Sequence, residues 1–360
     1  MNPLSLSSLG EFGLIARLRA RLSEGTTFAG AASRVLVGIG DDCAVLQASG
    51  DKQLLVTTDA LLENVHFRLD FGTARQLGWR TLAVNISDIA AMGGTPTAAV
   101  VCVGLTDGLT VEFVDELYAG IAECAERFGV SIVGGDTVKS PTALMLAVTL
   151  LGEVEPAHLI LRSGAQPGDA LLVTGSLGDA SAGLALMLHP NHERQRATFA
   201  QLIAAHCLPQ PRVAEMRAAV ATGAVHAAID LSDGLGGDLR RLAEESRVGA
   251  EVIAGALPIS AACRAAAAAL HRSPLEFAIS GGEDYELLMA VAADKKDAVT
   301  QAIHQTTGTP VTCIGHITDR TGELWLREAS GRTTALGKGY EHFGNGDASP
   351  ADKPPDPASM

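Results

Sequence analysis

The stretch Val37-Gly38-Ile39-Gly40-Asp41-Asp42-Cys43-Ala44-Val45 places two glycines around one apolar residue and follows them with two adjacent aspartates. Glycine allows sharp turns with positive φ, so the backbone there can approach a ligand closely. Adjacent carboxylates repel each other and resist burial unless a positive charge lies between them. Taken alone, this pattern is typical of a solvated turn.

Acidic residues beside small or hydroxyl residues recur along the whole chain. Five further stretches have this character: Thr57-Thr58-Asp59, Asn85-Ile86-Ser87-Asp88, Gly134-Gly135-Asp136-Thr137, Asp230-Leu231-Ser232-Asp233-Gly234 and Ser280-Gly281-Gly282-Glu283-Asp284. We expect them at strand ends and helix starts. One such turn is ordinary, whereas six of them predict a single shared metal–phosphate site.

The composition limits the class of partner. The 360 residues carry a formal net charge of −14, which argues against nucleic acid or an anionic membrane as the main partner. An acidic protein that binds polyanions needs cations between itself and them. No apolar run is long enough to span a bilayer. The six cysteines are scattered without a C-x-x-C pair, which favours reduced thiols and a cytoplasmic location.

Hydrophobic periodicity predicts interleaved strands and helices in both halves, and therefore an α/β or α+β fold. In the first half we predict helices over 11–22, 74–92 and 111–128 and strands over 53–58, 98–105, 130–133 and 142–154. In the second half we predict strands over 170–174, 227–231 and 285–290 and around Thr312 and Leu324. Helices are predicted from Gly175 to Leu188, from Pro211, and over 235–246, 261–270 and 296–306. We place domains at 1–155 and 156–343, and a disordered tail at 344–360.

Carboxylates rather than lysine are expected to supply the phosphate chemistry. The nearest approach to a P-loop is Lys139-Ser140, but Val138 stands where glycine is required. Lysine is then absent until Lys295. Magnesium held by carboxylates and water is the expected counter-charge, with these candidate ligands: Asp42, Asp59, Asp88, Asp136 and Asp230. For each one, a turn cap, a helix cap or an arginine partner is an equally good explanation. Asp88 fits such a structural role least well, because it lies in an apolar helix.

For several polar residues the sequence pattern alone allows both a structural and a functional role. His66 is either structural or catalytic, and Arg162 is either an exposed loop residue or a bidentate phosphate ligand. The hydroxyls of Thr57, Thr58 and Ser232 suit phosphate or metal, and they equally suit simple turns.

As a set, these motifs resemble those of the bacterial thiamine-monophosphate kinase family. The motifs are Gly38–Ala44, Thr57–Asp59, Val65-His66-Phe67, Ala83–Gly93, Gly134–Thr137, Asp230–Gly234 and Ser280–Glu286, and their order and spacing agree from about Gly10 to Phe343. The resemblance implies the two-domain fold of the aminoimidazole-ribonucleotide-synthetase superfamily. In that fold the N-terminal domain dimerises through a shared β-barrel. It also implies transfer of the γ-phosphate of ATP to thiamine monophosphate, giving thiamine diphosphate.

The resemblance also implies roles for individual residues. The implied magnesium ligands are Asp42, Thr57, Thr58, Asp59, Asp88, Asp136, Asp230 and Asp233. The implied ATP contacts are Gly135, Asp136, Arg162 and Ser232, and the implied thiamine-phosphate contacts are His66, Glu283 and Tyr340. Several magnesium ions are implied, and the family pattern leaves room for potassium. Asn64 stands where the family usually has glycine, and we expect it to tolerate a left-handed backbone.

We expect direct, in-line transfer without a phosphoenzyme and without a protein general base. The acceptor phosphate has a second pKa of about 6, so it is already mostly an oxyanion at neutral pH. The difficulty is repulsion between two polyanions, which magnesium on the aspartates and Arg162 would offset. His66 is then expected to position the substrate.

Three other functions agree less well with the sequence. A selenophosphate synthetase needs a reactive Cys or Sec near the N-terminus, but no cysteine precedes Cys43 and the first lysine is Lys52. The hydrogenase-maturation member of the superfamily needs a C-terminal cysteine, whereas this sequence ends Pro357-Ala358-Ser359-Met360. A non-catalytic binding protein for thiamine phosphates or divalent metal is expected to have lost some of the carboxylates, whereas this sequence has all of them.

Overall fold

The computed structural model describes residues 17, 20, 35–37, 45–46, 50–189, 198–337 and 339. A short antiparallel pair, β1 (Val35–Val37) and β2 (Val45–Leu46), flanks the opening Gly-Asp stretch. That stretch itself, with Asp42, lies outside the described residues, as do Tyr340, most of the predicted helix over 11–22 and the predicted tail.

The first domain is a four-stranded sheet with two helices. Its elements in chain order are β3 (Gln53–Leu62), α1 (Ala74–Ala91), β4 (Thr95–Leu105), α2 (Val111–Phe128), β5 (Ser131–Lys139) and β6 (Met145–Val154). The strand order is β3-β6-β4-β5. All neighbours are antiparallel except β4 and β5, which are parallel, so the sheet is mixed.

Among the described residues, helices cover one face of this sheet. Along β3, Leu55 and Leu61 are buried while Leu54 and Val56 are 63% and 61% exposed, the alternation expected of a strand with one covered face. Helices α1 and α2 pack on the buried face. We call the opposite face the outer face; it exposes the apolar side chains of Leu54, Val56, Leu62, Val100 and Val138.

The second domain is a seven-stranded mixed sheet. Its strands are β7 (Ala170–Thr174), β8 (Val225–Asp230), β9 (Gly249–Ile253), β10 (Leu287–Val291), β11 (Val311–Thr318), β12 (Leu324–Arg327) and β13 (Thr333–Ala335), in the order β13-β12-β9-β11-β7-β10-β8. Its helices are α3 (Asp179–Leu188), α4 (Ala200–Cys207), α5 (Val213–Val220), α6 (Leu235–Ser246), α7 (Ala261–Ala269), α8 (Pro274–Ser280) and α9 (Lys296–Thr307). Every residue of β7 and β10 is buried, because helices cover both faces.

The end of helix α1 packs against the second domain. Ala91, at the end of α1, belongs to the core formed by α5, α9 and one face of the second sheet. The Arg217 side chain of α5 donates to the Gly93 carbonyl at 2.7 Å. Helix α1 is therefore packed against both domains. The domain limits at 155 and 343 stay a prediction.

Local capping signals located several elements correctly. Thr110 Oγ1 accepts the Phe113 N–H at 3.2 Å to cap α2, and Gly129 ends this helix with φ 71°. The strand over 170–174 and the helix over 235–246 have the predicted bounds.

Two predicted strand ends were wrong. Strand β3 continues through Asp59 to Leu62, and β5 continues through Gly134-Gly135-Asp136 to Lys139. In both cases pairing with a neighbouring strand extends the element past residues that favour a turn, Asp59 in β3 and Gly134-Gly135-Asp136 in β5. Asp59 and Asp136 therefore lie inside strands, whereas Asp230 is the last residue of β8 as expected. The sequence analysis did not predict β9, β13, α4 or α8.

Two further findings concern the class of protein. Within the described part of the chain, no helix is both long and apolar enough to cross a membrane. The five described cysteines, Cys102, Cys124, Cys207, Cys263 and Cys313, form no disulfide with one another.

Candidate active site

Helix α1 carries polar side chains on the surface that faces β3. The Asn85 Oδ1 accepts the backbone N–H of Asp59 at 3.0 Å, and the Thr57 hydroxyl donates to Asp88 Oδ2 at 2.6 Å. Thr57 and Asp59 are two residues apart, so both point from β3 towards the helix. The strand and the helix together place the Asp59 and Asp88 carboxylates close to each other.

Ser87 connects this group to the second domain. Its buried hydroxyl donates to Asp230 Oδ2 at 2.7 Å, and Asp230 itself is 3% exposed at the end of β8. Arg162, in the segment between the two sheets, is near enough to lower the pKa of both Asp88 and Asp230. One cluster therefore contains carboxylates from both domains.

The carboxylates of this cluster resist ionisation. Burial raises the pKa of Asp59 to about 6, with the Asp88 and Asp233 charges adding to the effect. Burial and the Asp88 charge raise the pKa of Asp230 to about 7. Burial also raises the pKa of Asp88, against the lowering effects of the Thr57 hydrogen bond and Arg162. The cluster has more negative charge than its positive groups neutralise.

Asp233 joins the cluster through the loop that follows β8. Its backbone N–H donates to Asp238 Oδ2 at 3.0 Å, and its own carboxylate lies 2.6 Å from Arg241 Nη1. Asp238 is completely buried in the first turns of α6, where burial and the nearby Asp230 and Asp233 raise its pKa to about 8. Asp238 was not among the predicted site residues.

Thr58 and Asp136 lie away from this cluster. The Thr58 hydroxyl donates to the Val148 carbonyl at 2.9 Å on the outer face. Asp136 is paired through Cys102 and then Ala147 with Ala60, and cross-strand partners share a face. Asp136 is therefore on the outer face, and it is also on the opposite edge of the sheet from Asp59, about 14 Å across three strand spacings.

Of the predicted ATP contacts, some lie at the cluster and others lie in β5, away from it. Arg162 and Ser232 lie at the cluster, and the Ser232 carbonyl accepts the Glu283 N–H at 2.7 Å. Gly135 lies in β5, where a Cβ would be 1.8 Å from the Val101 carbonyl oxygen. Its lack of a side chain is thus explained by strand packing. Of the eight predicted metal ligands, the structure gathers Thr57, Asp59, Asp88, Asp230 and Asp233.

His66 and Glu283 meet at a buried arginine that the sequence analysis did not single out. Arg80 is 4% exposed on α1, and its Nη2 donates to the His66 carbonyl at 3.1 Å and also to Glu283 Oε1. His206 of α4 lies 2.8 Å from Glu283 Oε2. Burial opposes ionisation of Glu283, but Arg80, His206 and His66 together lower its pKa to about 2.

The rest of the Ser280–Glu286 motif organises the second domain. Asp284 accepts the Gly178 N–H at 2.9 Å and so caps the start of α3. Glu286 accepts the Thr174 hydroxyl at 2.6 Å and forms a bidentate pair with Arg212 at 2.7 and 2.5 Å. Only Glu283 of these three acids faces the first domain.

The oxygen-rich cluster fits magnesium better than a softer metal. Its raised pKa values arise from burial and mutual repulsion, and the positive charge of a divalent cation would offset both effects. Among the described residues, however, no three His, Cys, Asp or Glu side chains converge into a complete metal site. A cation held there would need water and phosphate oxygens to complete its shell.

Comparison with known proteins agrees with this two-domain arrangement. The model of the AIR synthase related protein, N-terminal domain, matches residues 40–154, and that of the AIR synthase related protein, C-terminal domain, matches residues 166–326. The fold and its site thus define an AIR synthase-related protein.

Individual relatives narrow the class. Thiamine-monophosphate kinase of Bacillus subtilis is 36% identical over 317 residues, which is 86% of this chain and 94% of the relative. The crystal structure of thiamine-monophosphate kinase from Stenotrophomonas maltophilia has a TM-score of 0.75 and 36% identity, covering 91% of this chain and 98% of that one. AaThiL complexed with AMPPCP and TMP has a TM-score of 0.70 and 31% identity, covering 95% and 100%. The chain belongs to the thiamine-monophosphate kinase family.

The raised pKa values predict how stability depends on pH without metal. Folded Asp59 and Asp230 keep protons up to about pH 6 and 7, whereas unfolded aspartates release theirs near pH 4. The folded state therefore binds more protons between these values, and the free energy of unfolding should fall as pH rises from 5 to 8. Asp230→Asn mimics the protonated side chain, so it should stabilise the metal-free protein at pH 8 by roughly 1–3 kcal/mol.

Urea unfolding in EDTA at pH 5 and pH 8 measures this difference. Asp107→Asn is the matched control, because Asp107 is 80% exposed and pairs only with the surface residue Lys139 among the contacts in the described chain. Contributions from histidines cancel when the variants are compared. An Asp230→Asn protein with the same pH dependence as the wild type would contradict the assigned pKa shift.

Proposed function

We propose that this chain transfers the γ-phosphate of ATP to thiamine monophosphate, giving thiamine diphosphate and ADP. The observation that carries the proposal is the cluster of half-buried Asp59 and Asp88 with buried Asp230, built jointly by both domains beside Arg162. The homologous AaThiL structure holds AMPPCP and TMP, which supports the same pair of ligands for this chain.

We propose that Thr57, Asp59, Asp88, Asp230 and Asp233 hold magnesium, with Asp42 as a further ligand. When bound, magnesium would supply positive charge between the carboxylates and the phosphates of both substrates. Arg162 would add its guanidinium at the ATP phosphates, and Ser232 would donate a hydrogen bond there. ATP contacts at Gly135 and Asp136, and metal contacts at Thr58 and Asp136, remain part of the proposal without support from the contacts in this chain.

On the acceptor side we propose His66, Glu283 and Tyr340 as contacts to thiamine monophosphate. His66 Nδ1 accepts the Leu62 N–H at 3.0 Å, so the hydrogen of a neutral His66 is on Nε2. That nitrogen is a donor to an anionic substrate. This tautomer suits a positioning role and does not suit a general base.

Direct, in-line transfer requires little acid–base work from the chain. The acceptor phosphate is already largely ionised at neutral pH, since its second pKa is about 6. The task of the protein is to hold two polyanions in line and to reduce their repulsion. The Asp59–Asp88–Asp230 cluster supports this view, because its carboxylates can bind cations and its Asp88 lies on the helix that also holds Arg80.

We also propose a homodimer that closes a β-barrel through the outer face of the first sheet. Five large apolar side chains lie exposed there on three strands, and an extended apolar patch on a sheet face is unusual for a surface in contact with water. The second sheet does not expose a comparable apolar face, since helices cover both of its faces.

Activity tests the central proposal. Purified protein with ATP, Mg²⁺ and thiamine monophosphate should form thiamine diphosphate, measured by chromatography, and EDTA should abolish the reaction. Asp88→Asn should lower kcat by at least about 10²-fold, since it weakens binding of a charge-stabilising cation. Asp107→Asn, an exposed aspartate of the same domain, should retain the wild-type rate.

Two results would contradict this proposal. One is the absence of thiamine diphosphate, or a preference for unphosphorylated thiamine. The other is an Asp88→Asn protein within a few-fold of wild type, which would return Asp88 to a structural role. Label from γ-labelled ATP that stays on the denatured protein would contradict direct transfer.

Light scattering tests the dimer. Wild-type protein should have twice the mass of one chain, and Val56→Glu should shift it to the monomer because the carboxylate would be buried at the interface. Ile253→Glu is the control, since Ile253 is also an exposed strand residue, at 41%, but lies in the second sheet. A monomeric wild type, or a dimer unaffected by Val56→Glu, would contradict the proposed interface.

A further inference from the structure

Arg80 binds three separate segments of the chain at one point. Its Nη1 donates to His206 Nε2 at 3.0 Å, and its Nη2 donates to the His66 carbonyl at 3.1 Å and to Glu283 Oε1. His66 belongs to the loop after β3, His206 to α4 and Glu283 to the loop after α8. Arg80 thus joins the first domain to two elements of the second.

The hydrogen positions in this network follow from its donors. Arginine has only donors, so His206 Nε2 must accept and a neutral His206 carries its hydrogen on Nδ1. Nδ1 is the atom that lies 2.8 Å from Glu283 Oε2. Burial and Arg80 both lower the pKa of His206, which keeps the ring neutral. Glu283 Oε1 therefore accepts from Arg80, and Glu283 Oε2 lies beside the ring N–H of His206.

Glu283 is held firmly but is not enclosed. Its side chain is 24% exposed, so part of it is accessible from outside the network. Its backbone has φ 63°, a conformation that is costly for glutamate and persists only where the surroundings fix it.

Two buried donors of the network lack a well-aligned acceptor. Within the described residues, neither Arg80 Nε nor His206 Nδ1 makes a hydrogen bond of good geometry. Buried donors without an acceptor are rare in folded proteins and require an explanation.

We propose that Arg80 and His206 are positioning residues for the acceptor substrate. Arg80 holds His66 and Glu283 at a fixed separation, and His206 fixes the orientation of the Glu283 carboxylate. The inference rests on the proposed function, because it takes His66 and Glu283 as contacts to thiamine monophosphate. Arg80 is eight residues before Asp88 on α1, about 12 Å along the helix axis. The network should therefore influence the acceptor substrate and leave ATP unaffected.

Lysine cannot replace arginine in this network. Lysine presents one point charge, whereas the guanidinium fork reaches three acceptors at once. Arg80→Lys should therefore raise KM for thiamine monophosphate by about tenfold, the size expected from losing one charged hydrogen bond. KM for ATP should stay within about twofold, and kcat at saturating substrates within about threefold.

Arg75→Lys is the matched control. Arg75 is on the same helix, but it is exposed and pairs with Glu116 and Glu123 of α2 within the first domain. We expect both KM values of this variant to remain those of the wild type. Initial rates with each substrate varied in turn supply the measurement, and the melting temperature shows that each variant is folded.

A pair of His206 variants provides an independent arm in case Arg80→Lys folds poorly. His206→Leu removes both polar contacts and should raise KM for thiamine monophosphate. His206→Gln offers an amide oxygen to Arg80 and an amide N–H to Glu283, so it should restore KM to within a few-fold of wild type.

The inference is overturned if Arg80→Lys leaves KM for thiamine monophosphate unchanged, or if it raises both KM values equally. It is also overturned if His206→Gln is no better than His206→Leu. A wild-type chain that does not phosphorylate thiamine monophosphate would instead overturn the proposed function. The wild-type assay alone shows this result, so the two failures are distinguishable.

Discussion

The crowding of buried and half-buried carboxylates between the two domains is the constraint on which the site depends. An uncompensated buried carboxylate costs several kcal/mol, whereas a hydrogen bond to a charged group contributes only about 1.5–3 kcal/mol. The bonds from Thr57 to Asp88 and from Ser87 to Asp230 therefore cannot offset the cost alone. The metal-free protein responds by holding protons, which is why the pKa of Asp230 rises to about 7. Cations between the carboxylates would allow all of them to ionise.

Helix α1 carries residues of both the cation cluster and the network beside the proposed acceptor contacts. Its apolar side packs on the first sheet, while its polar side chains reach β3 and the second domain. Asp88 lies near one end, and Arg80 lies two turns earlier beside Glu283. A rigid helix thus sets the distance between the cation cluster and the acceptor contacts, and in-line transfer between two bound phosphates needs such a fixed distance.

Sequence reasoning succeeded where the signal was local. Thr110 and Gly129 bounded α2 because capping depends on a few neighbouring residues. Asn64 has φ 64°, which confirms the expectation that it tolerates a left-handed backbone. The predicted strand end at Asp59 and the predicted turn at Gly134–Thr137 were wrong, because pairing with distant strands decided those conformations. The opposite faces of Asp59 and Asp136 follow from register, which the sequence does not display.

Of the site residues that were not predicted, one carries a recognisable signal in the sequence. Arg80 is a charged residue at a buried position of an apolar helix, and the same argument that singled out Asp88 applies to it. Ser87 has no such signal, since a buried serine in a helix is common. His206 lies in a helix that periodicity did not predict, so only the structure could bring it to Glu283.

Proton release on magnesium binding tests the account most directly. Titration calorimetry of the nucleotide-free protein with Mg²⁺, repeated at pH 6.5 in buffers of different ionisation enthalpy, gives the number of protons released. The account predicts release at pH 6.5, because Asp59 and Asp230 with pKa values of about 6 and 7 must ionise to bind the cation. It predicts less release at pH 8.5, where these groups are already charged. Magnesium binding at pH 6.5 without any proton release would contradict it.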